Sequence, residues 1–179
     1  MAADKFRPHH PEEYQRLLKW AKGAYSILEV GSRFGFTLLD LAQGMGGRRI
    51  VAVDWPSVGD WGSPGSEEVL KENAETLRGM GFDVHLFIGD SKDPEIVQAV
   101  QELGPYDFGF IDGDHAYQGV KADWLNYGPF CKQVVFHDIR KPQAGENQHL
   151  EVWRLWAEIE GKKEEFLAEG SKMGIGRAG

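Results

Sequence analysis

The sequence predicts an α/β protein, a three-layer sandwich built on a mainly parallel sheet. Short apolar runs of strand length alternate with amphipathic segments of helical spacing along the chain. Glycines and capping residues separate these segments, and no internal repeat or low-complexity tract interrupts them. Because parallel strands need a crossover between them, usually a helix, the alternation indicates helices on both faces of one sheet.

The pattern assigns each element in order. Apolar residues at helical spacing predict helices over residues 11–22, 36–45, 66–77, 94–103, 116–127 and 150–159. Apolar runs predict strands over residues 25–30, 49–53, 84–88, 107–111 and 133–136. Short strands near 166–168 and 173–175, expected as an antiparallel pair at the C-terminus, bring the sheet to seven strands. Ser66 is expected to cap the third helix, and residues 162–165 to form an exposed charged turn.

Composition limits the classes of function. The 179 residues, 41% hydrophobic and 12% aromatic, suffice for a single domain over residues 1–179 with a sizeable core. The formal net charge of -8 argues against nucleic acid as a partner and favours small molecules. The chain has one cysteine, Cys131, and shows no secretory leader. No apolar run approaches the ~20 residues of a membrane span. These features predict a soluble cytoplasmic protein.

The segment from Glu29 to Gly35 reads as the end of a strand, a glycine turn and the start of a helix. Gly31 can adopt backbone angles that a side chain disfavours, and Gly35 would let the helix pack close to the strand. The unpaired N–H groups of the helix start would face a bound carboxylate or phosphate. This turn predicts a nucleotide-cofactor site, although an ordinary strand-to-helix turn has the same pattern.

Polar residues follow every predicted strand of the parallel part of the sheet. Ligands bind such sheets at the carboxyl ends of the strands, so these residues are expected to surround one site. They are Glu29 and Gly31, Asp54, Gly89 to Ser91, Asp112 to His115, and His137 with Asp138.

Asp54 lies 23 residues after Gly31, a spacing that suits an acidic residue accepting the ribose hydroxyls of an adenosine. Dinucleotide and S-adenosylmethionine sites share this spacing. The alternative is an Asx turn in which Asp54 bonds its own backbone ahead of Pro56. The glycine turn upstream favours the ligand role.

Six segments together resemble the class I S-adenosylmethionine-dependent methyltransferases. They are EVGSRFGFT, VAVD, GDS, FIDGDHAYQGVKADW, VVFHDI and the terminal MGIG, of which FIDGDHAYQGVKADW is the most specific. Within that class the chain looks like the small O-methyltransferase branch of catechol, caffeoyl-CoA and macrocin methyltransferases and cephalosporin-hydroxylase-like proteins. The resemblance covers most of the chain and implies a Rossmann-like fold.

The resemblance also implies a set of cofactor contacts. Glu29, Gly31 and Gly35 would hold the methionine part of S-adenosylmethionine, Asp54 its ribose, and Asp90 with Ser91 its adenine. The full set of expected cofactor-binding residues is Glu29, Gly31, Ser32, Arg33, Gly35, Asp54, Trp55, Gly89, Asp90, Ser91 and Asp112. Trp55 and Trp61 either line the pocket or cover the core locally.

Three carboxylates and two imidazoles crowd the ends of the fourth and fifth strands, which favours a shared cation or proton. By resemblance, Asp112, His137 and Asp138 occupy the positions that bind a divalent metal in metal-dependent relatives. Oxygen ligands favour magnesium, whereas the imidazole of His137, where a carboxylate or amide is usual, favours manganese, iron or zinc. Without a metal, the same residues would cap a helix and end a strand.

The function implied is methyl transfer from S-adenosylmethionine to a hydroxyl of a small acceptor. Asp112 would hold the metal, and His115 or a carboxylate would take the acceptor's proton. A nicotinamide-dependent oxidoreductase is the first alternative, disfavoured by chain length and glycine spacing. A hydroxylase-like or binding member of the same fold is the second. His9 and His10 are expected in an exposed start without a metal role, and the acceptor would be covered by residues 55–65 or by a second copy in a homo-oligomer.

Overall fold

The computed structural model describes residues 9–56 and 65–179. The strands are β1 Ser26–Val30, β2 Arg49–Asp54, β3 Asp83–Ile88, β4 Phe108–Ile111, β5 Val134–His137, β6 Lys163–Phe166 and β7 Ile175–Ala178. The helices are α1 Pro11–Ala21, α2 Phe36–Gly44, α3 Ser66–Gly79, α4 Pro94–Leu103, α5 Tyr117–Tyr127 and α6 Val152–Glu158. Trp61 lies outside the described residues.

The strands form one seven-stranded sheet in the order β3-β2-β1-β4-β5-β7-β6. Strands β1 to β5 pair in parallel, and β7 runs antiparallel to both of its neighbours. After β1 the chain builds outward through β2 and β3, and it then returns to the other side of β1 with β4. Because the strand order reverses between β1 and β4, a crevice for a ligand is expected at their carboxyl ends.

Helices cover both faces of the sheet, as a parallel sheet requires. Strand side chains alternate between the two faces, so Ile27 packs with α1 while Leu28 and Val30 pack with α4 and α5. Helices α2 and α3 complete the first layer, and α5 and α6 complete the second. The predicted three-layer α/β sandwich is confirmed.

Three local predictions are wrong. The charged residues expected as a turn form edge strand β6, and the predicted strands at 166–168 and 173–175 are displaced from β6 and β7. Among the described strands β6 pairs with β7 alone, so it is an edge strand and does not need an apolar pattern. An ion pair between Arg177 and Glu164 joins the two strands. Ser66 is not a cap: Gly65 occupies the N-cap with φ 77°, and the Ser66 hydroxyl donates to the carbonyl of Pro56.

Among the described residues, none of the helices combines the length and apolar character needed to cross a bilayer.

Candidate functional site

A cavity of about 570 Å³ opens at the carboxyl ends of the parallel strands. Its wall contains most of the residues predicted from the sequence: Gly31, Ser32, Arg33, Asp54, Trp55, Gly89, Asp90, Ser91, Asp112, His115, His137 and Asp138. Glu29 and Gly35 are not in the wall. A second cavity of about 480 Å³ lies at the amino ends of the parallel strands, among Lys22, Asp107 and Lys132. None of the predicted site residues lines it.

The turn after β1 depends on glycine at Gly31. Gly31 has φ 93°, and a Cβ added there would lie 2.4 Å from the carbonyl oxygen of Asp112. The loops after β1 and β4 therefore touch through backbone. Gly35, at the N-cap of α2 with φ 75°, approaches Leu70 of α3 rather than the strand, so the expected contact with the strand is wrong.

Glu29 is fully buried beneath this turn. Neither carboxylate oxygen has a hydrogen-bond partner of normal geometry among the described residues. Burial raises the pKa of Glu29 to about 8, although the neighbouring Ser32 hydroxyl lowers it in part and the charges of Asp112 and Asp54 raise it further. Glu29 is therefore largely protonated at neutral pH. A cationic group bound above it would favour its ionised form.

Replacing Glu29 with Gln should change how stability depends on pH. The folded-state pKa lies above the unfolded value of 4.5, so the stabilising effect of protonation is complete below pH 4.5 and is lost as pH rises to about 8. The free energy of unfolding of the native protein should fall over this window relative to Glu29→Gln, by at most about 1.4 kcal/mol per pH unit. Urea unfolding between pH 5 and 9 measures this, with the exposed Glu72→Gln as control. If the native protein and Glu29→Gln showed parallel pH profiles of stability, the raised pKa of Glu29 would be contradicted.

Asp54 ends β2 and supports the glycine turn. Its Oδ2 accepts a hydrogen bond from the backbone N–H of Arg33 at 2.6 Å. Burial raises the pKa of Asp54, although backbone N–H groups of Arg33 and Ser32 lower it in part. Oδ2 of Asp54 thus bonds the turn after β1. Trp55, the next residue, is 49% exposed at the cavity wall.

The loop after β3 is held by hydrogen bonds to side chains of α5. The Ser91 hydroxyl donates to Oδ1 of Asp123 at 2.6 Å, and the Tyr127 hydroxyl donates to the Ser91 carbonyl at 2.5 Å. Asp123 is fully buried, and burial raises its pKa to about 6, with the Ser91 hydrogen bond opposing the shift. Asp90 accepts the backbone N–H of Lys92 at 2.9 Å. Asp123 stands inside the FIDGDHAYQGVKADW segment but was not singled out there.

The ends of β4 and β5 bring carboxylates and imidazoles into contact. Nε2 of His115 lies 3.5 Å from Oδ1 of Asp112 and 3.1 Å from Oδ2 of Asp138. Nδ1 of His137 lies 3.1 Å from Oδ1 of Asp138 and 3.7 Å from Oδ1 of Asp112. Asp138 takes a left-handed backbone with φ 59°, rare for a residue with a side chain. Such strain is found preferentially at functional sites.

These contacts set the charges of the cluster. Burial lowers the pKa of His115, but hydrogen bonds and charges from Asp112 and Asp138 outweigh it and raise the pKa to about 10. Against the same burial, Asp138, Glu13 and Asp112 raise the pKa of His137 well above its usual range. Burial opposes ionisation of Asp138, yet both imidazoles hold its pKa below the usual range. The cluster therefore holds protons that a cation could replace.

His9 reaches this cluster, contrary to the prediction of an exposed start. Its side chain is only 6% exposed, and its Nε2 lies 3.6 Å from Oδ2 of Asp112. The ring stacks on Tyr14 with centroids 5.7 Å apart and meets the ring of His137 edge-on at 4.5 Å. Burial lowers the pKa of His9, while the charge of Asp112 opposes the shift. His10 does not join the cluster and instead caps α1.

Glu13 is a second residue that the sequence did not reveal. It is fully buried on α1, and its Oε2 lies 3.8 Å from Nε2 of His137. Its Oε1 accepts the backbone N–H of Ala168 at 3.2 Å. His137 thus faces a carboxylate at each ring nitrogen. Among the described residues, two groups could hold a metal ion: His9 with Asp112 and His137, and Asp112 with His115 and Asp138.

Comparisons with solved structures support the fold. An O-methyltransferase from Bacillus cereus, in complex with SAH, aligns over 98% of this chain and 85% of its own, with 20% identity and a TM-score of 0.69. The O-methyltransferase TomG from Streptomyces achromogenes, in complex with SAM, aligns over 94% and 79%, with 16% identity and a TM-score of 0.63. The N-methyltransferase NodS from Bradyrhizobium japonicum aligns over 93% of both chains, with 12% identity and a TM-score of 0.63.

The comparison with curated proteins gives no match. A family model described as a methyltransferase domain matches residues 28–139, which run from β1 through β5 and contain the turn after β1, Asp54 and the cluster at Asp112. This match confirms the methyltransferase prediction and disfavours the nicotinamide-dependent alternative. Because the model spans more than half of the chain, this protein belongs to the methyltransferase domain family.

Proposed function

We propose that this protein transfers a methyl group from S-adenosylmethionine to a hydroxyl of a small-molecule acceptor, with a divalent metal beside the acceptor. One observation carries the proposal: a single cavity unites the turn after β1 and Asp54 with the histidine and carboxylate cluster. Structurally similar enzymes were solved with SAH or SAM bound. The cytoplasmic setting and a homo-oligomer stay predictions.

The cofactor residues fit the groups of S-adenosylmethionine. Glu29 offers a buried carboxyl whose oxygens accept no hydrogen bond of normal geometry from the described residues, and a cationic ammonium or sulfonium would be attracted to its ionised form. Asp54 can accept a ribose hydroxyl in addition to the N–H of Arg33, since each carboxylate oxygen has two lone pairs. Asp90 and Ser91 line the same cavity and are the residues beside which the resemblance places the adenine.

The acceptor would bind beside the cluster at the ends of β4 and β5. A divalent cation held there would lower the pKa of an acceptor hydroxyl and orient its oxygen toward the methyl group. Asp112 faces three imidazoles and is the residue placed to hold such a cation. His115, held between Asp112 and Asp138, is the group placed to exchange the acceptor's proton. Transfer itself then depends mainly on positioning. The catalytic roles of Asp112 and His115, and Asp112, His137 and Asp138 as metal ligands, stay predictions.

Calorimetric titration with S-adenosylhomocysteine tests the proposal, with NAD as the competing ligand. The native protein should bind S-adenosylhomocysteine in preference to NAD, and Asp54→Asn should weaken this binding by about tenfold, the equivalent of roughly 1.4 kcal/mol. Asp83→Asn, at the opposite end of the adjacent strand β3, is the control and should bind like the native protein. A preference for NAD would refute the proposed function. Unchanged binding by Asp54→Asn would refute the contact between Asp54 and the ribose.

A further inference from the structure

We propose that His9, Asp112 and His137 together form a transition-metal site, so that a residue ahead of α1 completes the metal centre of the methyltransferase. The ligand set is two imidazoles and one carboxylate, in place of the Asp112, His137 and Asp138 set implied by resemblance. The inference rests on the proposed function only in placing the acceptor beside this metal.

The three side chains already have the spacing of ligands. One donor atom from each of His9, Asp112 and His137 lies within 4.8 Å of the other two. Nε2 of His9 is 3.6 Å from Oδ2 of Asp112, and Nδ1 of His137 is 3.7 Å from Oδ1 of the same carboxylate, both too long for hydrogen bonds. Two donors bound about 2.1 Å from one tetrahedral ion lie about 3.4 Å apart. An ion can therefore enter between these atoms with small movements.

The imidazole of His9 is held in place before any ion binds. Its side chain is buried, stacked against Tyr14 of α1 and edge-on to Phe110 of β4, whose ring centroid is 6.0 Å away. Little side-chain freedom remains to be lost on metal binding, which favours affinity. A histidine that served only to cover the core would not need a ring nitrogen directed at the partly buried carboxylate of Asp112.

Asp138 is grouped with His115 rather than with His137. Its Oδ2 lies 3.1 Å from Nε2 of His115, and among the described residues its oxygens converge with Asp112 and His115, not with Asp112 and His137. Nδ1 of His137 is the nitrogen that faces Asp112, so it would bind the metal, displacing any N–H contact with Oδ1 of Asp138, 3.1 Å away. Histidines that bind metals commonly direct their second ring N–H at a carboxylate. For His137 that carboxylate is Glu13, 3.8 Å from Nε2.

The donor set determines the kind of metal. Imidazole suits zinc, copper, iron and nickel, whereas magnesium prefers oxygen donors in octahedral geometry. Two histidines and one carboxylate leave open coordination positions, which two neighbouring oxygens of an acceptor can fill. The expected acceptor therefore carries adjacent oxygens, and the expected ion is a first-row transition metal.

The site is tested by titrating chelator-treated protein with Co²⁺ and with Mg²⁺. Calorimetry measures the binding of both ions, and the visible spectrum reports the coordination of Co²⁺. The native protein should bind one Co²⁺ at least about tenfold more tightly than Mg²⁺. His9→Phe keeps a ring against Tyr14 but has no donor atom. It should weaken Co²⁺ at least about tenfold and alter its spectrum, while Mg²⁺ affinity changes little.

His10→Asn is the matched control, because it retains a side-chain cap on α1 and should bind Co²⁺ like the native protein. Equal Co²⁺ affinity in His9→Phe and the native protein would overturn the inference, as would Mg²⁺ binding as tightly as Co²⁺. Circular dichroism establishes that each variant is folded. S-adenosylhomocysteine titration of the same samples separates the proposals: its failure with intact Co²⁺ binding would refute the proposed function alone.

Discussion

Gly31→Ala should destabilise the protein by more than about 4 kcal/mol, a large share of the 5–15 kcal/mol typical of a folded domain. The left-handed backbone at Gly31 accounts for about 1–2 kcal/mol of this loss. The rest comes from a clash with backbone, since the new Cβ would lie 2.4 Å from the Asp112 carbonyl oxygen and 2.5 Å from Cα of Gly113. Neither neighbour can move without separating the loops after β1 and β4.

Gly113→Ala is the matched control for this prediction. A Cβ at Gly113 would meet Val30 at 3.5 Å, an ordinary contact, and its backbone is not left-handed. Its effect on the free energy of unfolding should stay below about 1 kcal/mol. Urea unfolding followed by circular dichroism compares the two variants. Comparable stability would show that the two loops do not touch as described, whereas an insoluble Gly31→Ala beside a soluble Gly113→Ala agrees with the prediction.

The parts of the fold that could be predicted are those encoded by local pattern. Each of β1, β2 and β4 is an apolar run followed directly by its turn or polar residues. One short segment of sequence therefore predicts the strand and the site residues that follow it. The position of Asp54 beside the turn followed from topology, because carboxyl ends of neighbouring parallel strands meet at one edge. Strand β6 was missed because an edge strand with charged side chains has no apolar pattern.

The residues missed at the site reach it through tertiary structure alone. His9 contacts Asp112 across more than a hundred residues of sequence, and a histidine ahead of a helix has no pattern that distinguishes a buried ring from an exposed one. Glu13 reads as an ordinary acidic residue in the first turn of a helix, where the helix dipole favours it. Only the packing of α1 against the sheet brings these side chains to His137.

Asp112→Asn should lower the affinity for Co²⁺ by about a hundredfold or more, equivalent to roughly 2.7 kcal/mol, while S-adenosylhomocysteine affinity changes less than about threefold. Asp112 belongs to both groups of side chains that could hold an ion, so the result does not depend on which group is correct. The amide keeps the shape of the carboxyl but removes the negative charge that attracts the ion. Methyl transfer to an acceptor with adjacent oxygens should fall with metal binding.

Asp107→Asn, at the opposite end of β4, is the control. Asp107 also contacts a cation, Lys132, and bonds the backbone of Tyr25, but it lies outside the site cavity. Asp112→Asn leaves the imidazoles of His115 and His137 with less negative charge, so some loss of stability is expected, and cooperative unfolding must be verified first. Unchanged Co²⁺ affinity would exclude both ligand groups. Joint loss of Co²⁺ and S-adenosylhomocysteine binding by folded Asp112→Asn would show that the cluster supports the cofactor rather than the acceptor.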